Sequence, residues 1–122
     1  WEIALAFRSV SPKQWYINNL VVLKKSDTSI SADSIIDSGI QSLEKGIKWY
    51  TLISNNEVEF ADKQSGKIII YTGKYSADTP ETVFIQTARV CGNNSYYMTI
   101  SLTEKLASYD RYEYILQNFK CI

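Results

Sequence analysis

Alternating apolar and polar residues predict strands at the start of the chain. Every second residue is apolar there, which is the period of a strand with one half-buried face: Trp1, Ile3, Leu5 and Phe7. A second strand is predicted at 20–23, where four apolar residues precede the polar run 24–27. Turn signals within 9–19 separate the two strands and enclose Trp15 and Tyr16.

Two segments have the period of amphipathic helices. The first helix is predicted to begin at Ser31 or Asp33, either of which can accept hydrogen bonds from the free amides, and to end at Gly46. Its apolar face is formed by residues at helical spacing: Ile36, Ile40, Leu43 and Ile47. The second helix is predicted over 108–120, with its own apolar stripe: Tyr112, Ile115, Leu116 and Phe119.

Short strands and turns are predicted between the helices. The Asn55-Asn56 pair favours a turn, so 49–53 and 58–61 are predicted as separate strands. A turn at 62–66 leads into a further strand at 67–75.

The clearest hairpin follows the loop predicted at 76–80. Its strands are 82–90 and 95–102, and Gly92-Asn93-Asn94 turns between them. Consecutive strands with short turns predict an antiparallel sheet, and two one-sided helices need that sheet to pack on. The sequence therefore predicts one α+β domain over 1–122, with about six antiparallel strands and two main helices.

The two cysteines are expected to lie close together. Cys91 ends one strand of the hairpin, and the returning strand and the last helix each reverse the chain direction, which carries Cys121 back toward it. A disulfide would clip the helix to the sheet and indicate an oxidising compartment. The alternative is a pair of unpaired thiols.

Composition argues against several functional classes. The chain has 122 residues, a formal net charge of zero from 13 basic and 13 acidic residues, and no histidine. Evenly mixed charges argue against nucleic-acid binding, and the missing histidine removes the commonest general base and metal ligand. No apolar run reaches the roughly 18 residues of a membrane span. Because the chain begins at Trp1 and not at methionine, it is expected to be a processed or truncated product, and any signal peptide, lipid anchor or membrane helix would lie upstream.

Several segments together resemble the Mog1/PsbP-like superfamily, in particular its bacterial branch of DcrB-like lipoproteins and type VI secretion Eag chaperones. The segments that carry the resemblance are 20–23, 41–43, 66–71, 84–86, 96–100 and 112–119, the last with its Ile115-Leu116-Gln117-Asn118-Phe119 pattern. The resemblance implies an antiparallel sheet covered by helices, and roles in binding other proteins as adaptors, chaperones or accessory subunits. It implies no catalytic signature.

Aromatic residues are the best candidates for a binding surface. The chain has nine tyrosines and three tryptophans, residue types that give large contact areas in interfaces. Tyr50, Tyr71, Tyr75, Tyr97, Tyr109 and Tyr114 are expected to be at least half exposed. The candidate contact residues are Trp15, Tyr16, Tyr50, Tyr71, Tyr75 and Tyr97. The alternative is that these tyrosines serve strand propensity or the edge of the core.

The acidic pairs in the sequence are best explained as ordinary surface residues. Asp33 and Asp37 could hold a cation, but a solvated helix N-terminus is the stronger interpretation. Glu57 and Glu59 alternate as the polar face of a strand. No nucleophile motif, phosphate loop or cofactor motif occurs, and Asn93 begins a glycosylation sequon.

The sequence thus predicts a non-enzymatic protein-binding domain of a bacterial envelope or secretion system. It is expected to be exported, in the periplasm or cell envelope, with a possible membrane tether upstream, no cofactor and no metal. The partner is expected to be another protein, with a homodimer left open. The alternative is a periplasmic immunity protein that blocks a toxin enzyme.

Overall fold

The computed structural model describes residues 2–8, 19–26, 31–46, 49–74, 76–78, 80–103 and 105–121, without the side chains of Phe7, Arg8 and Leu43. Within these residues there are six strands and two helices: β1 (Glu2–Arg8), β2 (Asn19–Lys25), α1 (Ala32–Gly46), β3 (Thr51–Glu59), β4 (Ser65–Gly73), β5 (Thr82–Cys91), β6 (Asn94–Leu102) and α2 (Asp110–Gln117). Some predicted features lie outside the described residues: Trp1, the loop with Trp15 and Tyr16, Ile47 and Tyr75.

The strands form one sheet in the order β1-β2-β6-β5-β4-β3, and every neighbouring pair is antiparallel. Strands β3 to β6 are a meander, and β2 pairs along β6, which puts β1 and β3 at the two edges. The structure therefore confirms the predicted α+β class with an antiparallel sheet and two helices.

Helix α1 packs against one face of the sheet. The Ser31 Oγ accepts the backbone N–H of Ser34 at 3.2 Å, which identifies Ser31 as the capping residue of the two predicted. Ile36 is fully buried in a cluster on this face, together with Ile69, Tyr71, Phe84 and Ala88.

Helix α2 packs against the opposite face. Its Leu116 is fully buried in a larger cluster with residues from β2, β4, β5 and β6: Val22, Ile68, Ile70, Val83, Ile85, Met98, Ile100 and Leu102. Because the two clusters lie on the two faces of the sheet, the consecutive residues 68–70 of the interior strand β4 are all buried. This double burial explains why β4 is a continuous apolar run.

The turn predicted at Asn55-Asn56 is wrong. β3 is one continuous strand in which Asn55 pairs with Ile69 and Asn56 with Ile68. Both asparagines are exposed on an edge strand, where backbone pairing to β4 outweighs their preference for turns. A register shift between Leu52 and Ser54 inserts Ile53 as an extra residue in the strand.

The expected apolar face of β1 is also wrong. Ile3 and Leu5 are both exposed, Ile3 at 69%. A register shift lies between them, so Ile3 pairs opposite Leu23 and Leu5 opposite Val22. Leu23 and Val22 are neighbours in β2 and therefore point to opposite faces of the sheet. The bulge thus places Ile3 and Leu5 on opposite faces of the edge strand β1, so they form no common apolar face.

Helix α2 is shorter than the predicted 108–120. Leu116 is buried, and Tyr112 and Phe119 pack against the core as expected. Ile115, the remaining residue of the predicted stripe, is 46% exposed. The short helix α2, with eight residues, buries only the narrow face that contains Leu116.

Cys91 and Cys121 form a disulfide, as predicted, with their Cα atoms 5.3 Å apart. Cys91 is the last residue of β5, and Cys121 follows α2. The bridge therefore fixes the C-terminal segment to the end of the central hairpin.

A buried arginine reinforces this end of the molecule. Arg89, which is 3% exposed, donates from Nη2 to Asp62 Oδ2 at 2.6 Å and from Nη1 to the carbonyl of Phe119 at 3.2 Å. Its guanidinium lies 4.0 Å from the centre of the Phe60 ring. Arg89 thus joins the turn after β3 to the segment after α2.

The carboxylate of Asp62 completes this network. It accepts a hydrogen bond from the backbone N–H of Cys121 at 3.1 Å, and it forms the ion pair with Arg89. The hydrogen bond from Cys121, together with those from Arg89 and the Gln64 amide, lowers the pKa of Asp62 despite partial desolvation.

Candidate functional site

Three of the six aromatic residues predicted to bind a partner lie together beside α1. Tyr50 and Tyr71 have ring centres 5.4 Å apart, and both pack in the cluster that includes Ile36 of α1, as does Tyr97. Tyr71 is 2% exposed, so its expected exposure is wrong. It belongs to β4, which is covered on both faces.

The expected exposure of Tyr50, Tyr97 and Tyr109 is wrong as well, since each of the three is less than half exposed. Tyr114 is 66% exposed, as predicted. The alternative interpretation, in which tyrosines serve the edge of the core, therefore describes this group better. Trp15, Tyr16 and Tyr75 lie outside the described residues.

Tyr97 takes part in a series of side-chain hydrogen bonds on the sheet face that α1 covers. Its hydroxyl donates to Gln86 Oε1 at 2.6 Å, and Gln86 Nε2 donates to Thr99 Oγ1 at 3.1 Å. Burial raises the pKa of Tyr97 to about 12, with a smaller contribution from Tyr50. The phenol stays neutral in the physiological range and acts as a fixed hydrogen-bond donor.

The hydroxyl of Tyr50 is buried and has no hydrogen-bond partner among the described residues. Burial raises the pKa of Tyr50, and the nearby Glu44 carboxylate adds to the shift. Tyr50, Tyr71 and Tyr97 thus contribute to packing beside α1, with polar groups at the edge of the cluster.

An open groove lies on the other face, beside the edge strand β3. It has a volume of about 520 Å³. Its floor is Ile70 and Thr72 of β4, and one wall is formed by β3. The opposite wall is the segment 105–110 that leads into α2.

The bulge in β3 shapes the wall of this groove. Because Thr51 pairs with Thr72 and Ser54 with Ile70, Thr51 and Ser54 point to the same face although they are three residues apart. The inserted Ile53 also lines the groove and is 46% exposed.

The opposite wall is held by a local hydrogen bond. The hydroxyl of Tyr109 accepts the backbone N–H of Leu106 at 3.1 Å, and Tyr109 packs against the core below α2. Leu106 is left 40% exposed across the groove from β3. Two apolar side chains, Ile53 and Leu106, therefore stand at the surface of one concave site.

An ion pair borders the groove. Lys105 Nζ lies 2.9 Å from Glu81 Oε2. This contact, followed by a hydrogen bond from Thr72, lowers the pKa of Glu81. The lining of the groove thus includes the apolar residues Ile53, Ile70 and Leu106, together with a larger number of polar and charged residues.

The described part of the chain contains no metal-binding cluster. Among these residues there is no group of three or more Cys, Asp or Glu side chains placed to hold a metal ion. No helix in the described ranges is long and apolar enough to cross a membrane.

Sequence reasoning missed this groove for two reasons. Asn55-Asn56 was interpreted as a turn, which removed β3 as a continuous edge. The bulge at Ile53 also breaks the period-two pattern, so no alternation in the sequence marks the residues that share the groove. The one available signal is the pair of apolar residues Leu52 and Ile53 next to polar residues.

The fold and groove define an α+β domain with an open, partly apolar site at a sheet edge. A similar fold occurs in PA94 of Pseudomonas aeruginosa, a protein of unknown function described as a candidate regulator. The two chains are 9% identical, with a TM-score of 0.65, over 81% of this chain and 67% of that chain. At this identity the likeness concerns the fold alone. No family model matches the sequence, and no curated protein matches it.

Proposed function

We propose that this domain is a non-catalytic protein-binding module that uses the β3 edge and its groove. The observation that carries the proposal is an edge strand beside a groove with the exposed apolar residues Ile53 and Leu106. An edge strand offers unpaired backbone amides and carbonyls, and a partner strand can pair with them. The adjacent groove offers a place for a side chain of that partner.

The disulfide supports an exported location. Disulfides persist in oxidising compartments and are rare in the cytosol, and Cys91–Cys121 closes the C-terminal segment onto the sheet. We therefore propose that the domain works in the periplasm or cell envelope, as an adaptor, chaperone or accessory subunit of an envelope or secretion system. Membership of the Mog1/PsbP-like superfamily is part of this proposal.

The test is affinity capture from an envelope extract of the source organism. The wild-type domain should capture a partner, and Ile53→Asp should reduce its yield at least about tenfold, because a carboxylate would be desolvated in the contact. Ile3→Asp is the matched control, since Ile3 is an exposed isoleucine on the opposite edge strand β1. Equal loss in both variants, or in neither, would contradict the proposal.

The identity of the captured partner separates the two candidate roles. A component of the envelope or of a secretion machine supports the adaptor role. A toxin enzyme whose activity falls on binding supports the alternative role of an immunity protein.

A further inference from the structure

The acidic residues of β3 indicate which kind of partner its edge accepts. After the bulge, the register is regular from Ser54 to Glu59, so Asn55, Glu57 and Glu59 point to the α1 face. All three are exposed. Two carboxylates thus stand two residues apart, roughly 7 Å, along the outermost strand.

Neither carboxylate is neutralised within the described part of the chain. Lys67 is opposite Glu57 on β4, but its Nζ lies 3.8 Å from Asp37 Oδ1 of α1. Glu57 and Glu59 form no ion pair with a described residue. The chain as a whole has no net charge, so this acidic edge is a local feature.

The acidic edge also disfavours a second copy of the chain. Pairing of two β3 strands through 54–59 in antiparallel registers would place glutamates of the two chains opposite or diagonal to each other. Like charges at these positions destabilise strand pairing. The same carboxylates favour a strand that carries basic residues, and repulsion of acidic strands adds to selectivity.

We propose that β3 binds an extended, basic peptide segment of the partner as a seventh, antiparallel strand. This inference rests on the proposed function and names the chemistry of its ligand. Peptide residues opposite Glu59 and Glu57 are Lys or Arg. The residue opposite Ser54 is apolar and enters the groove between Ile53 and Leu106. The recognised pattern is therefore basic-x-basic-x-x-apolar, read from the peptide N-terminus.

The probe is a fluorescent peptide with the order Lys-Thr-Lys-Thr-Thr-Leu, capped at both ends and measured by anisotropy. We expect saturable binding to the wild-type domain. The double variant Glu57→Lys with Glu59→Lys should weaken it about tenfold, since two exposed ion pairs of up to about 1 kcal/mol each are lost. Glu2→Lys on β1 is the control and should leave the affinity unchanged.

Two further peptides test the mode of binding. A peptide with Glu in place of both Lys should prefer the Glu57→Lys with Glu59→Lys variant to the wild type. N-methylation of alternate peptide residues should abolish binding for one set of positions and spare it for the other, because alternate amides point toward β3 in an antiparallel pair.

The outcomes distinguish this inference from the proposed function. If the basic peptide shows no saturable binding, or if charge reversal leaves it unchanged, the inference is overturned. If the charge-reversed domain still captures the partner while Ile53→Asp loses it, the groove binds a protein but not through a basic strand. Loss of capture in both variants, with restored binding of the acidic peptide, supports the inference.

Discussion

Arg89, Asp62 and the Cys91–Cys121 disulfide join three segments at one end of the sheet, which we call the closed end. Arg89 is buried with a carboxylate, a backbone carbonyl and an aromatic ring as partners. A buried guanidinium is tolerated only when its donors are satisfied. The presence of Arg89 in β5 is plain in the sequence, but its partners are not, because they come from a turn and from the chain end.

The lowered pKa of Asp62 predicts a loss of stability in acid. A carboxyl whose folded pKa lies below its ordinary 3.8 stabilises the fold above that value, and the contribution is lost as pH falls through the folded pKa. Urea unfolding at pH 7 and at about pH 3 should show that Asp62→Asn lowers stability at pH 7 and removes part of the acid sensitivity. An unchanged pH dependence in Asp62→Asn would contradict this role.

A substitution at Gly66 tests how tightly the Phe60 ring packs against Arg89. A Cβ at Gly66 would come 2.5 Å from Phe60 Cε2, so the ring that supports the guanidinium has to move. We expect Gly66→Ala to lower the free energy of unfolding by about 1–3 kcal/mol. Gly46→Ala is the control, because nothing lies within 4 Å of its Cβ position, and it should be neutral or stabilising.

Elements with strong periodicity could be predicted from sequence, and edge elements could not. The β5–β6 hairpin and α1 were predicted almost to their ends, because turn residues and a capping serine mark their limits. β3 was divided in two, since asparagine pairs favour turns locally and pairing to β4 decides the outcome. Bulges in β1 and β3 leave no local signal, so the exposure of Ile3 and the groove beside Ile53 were missed.

Replacing both asparagines of β3 tests its continuity directly. Asn55→Thr with Asn56→Thr raises strand propensity at two exposed positions of a paired strand. We expect a gain in the free energy of unfolding of up to about 1 kcal/mol by thermal or urea denaturation. A turn at these residues would instead make the substitution destabilising.

The molecule as a whole is a sheet with a closed end and an open edge. The closed end holds the disulfide, Arg89 and the segment after α2, and the open edge holds β3 with its groove and the exposed residues Glu57 and Glu59. The antiparallel α+β class and the cysteine pairing followed from element order and length. The proposed binding surface did not, because the predicted tyrosines Tyr50, Tyr71 and Tyr97 pack in the core beside α1.

Removal of the disulfide should affect stability more than binding. Cys91 and Cys121 are 30 residues apart, so Cys91→Ser with Cys121→Ser should lower the free energy of unfolding by about 3–4 kcal/mol in the chain-entropy model. Neither Cys91 nor Cys121 lines the groove or belongs to β3, so the folded variant should keep its affinity for the basic peptide. A folded double variant that has lost peptide binding would contradict this separation.

The central claim is that β3 is the strand that meets the partner. Hydrogen–deuterium exchange of the domain, alone and bound to the captured partner, measures this most directly, because new backbone hydrogen bonds slow amide exchange. The account predicts slower exchange within Thr51–Glu59 on binding and unchanged exchange within Glu2–Arg8 at the opposite edge. Protection that appears at β1 or α1 and leaves β3 unchanged would contradict it.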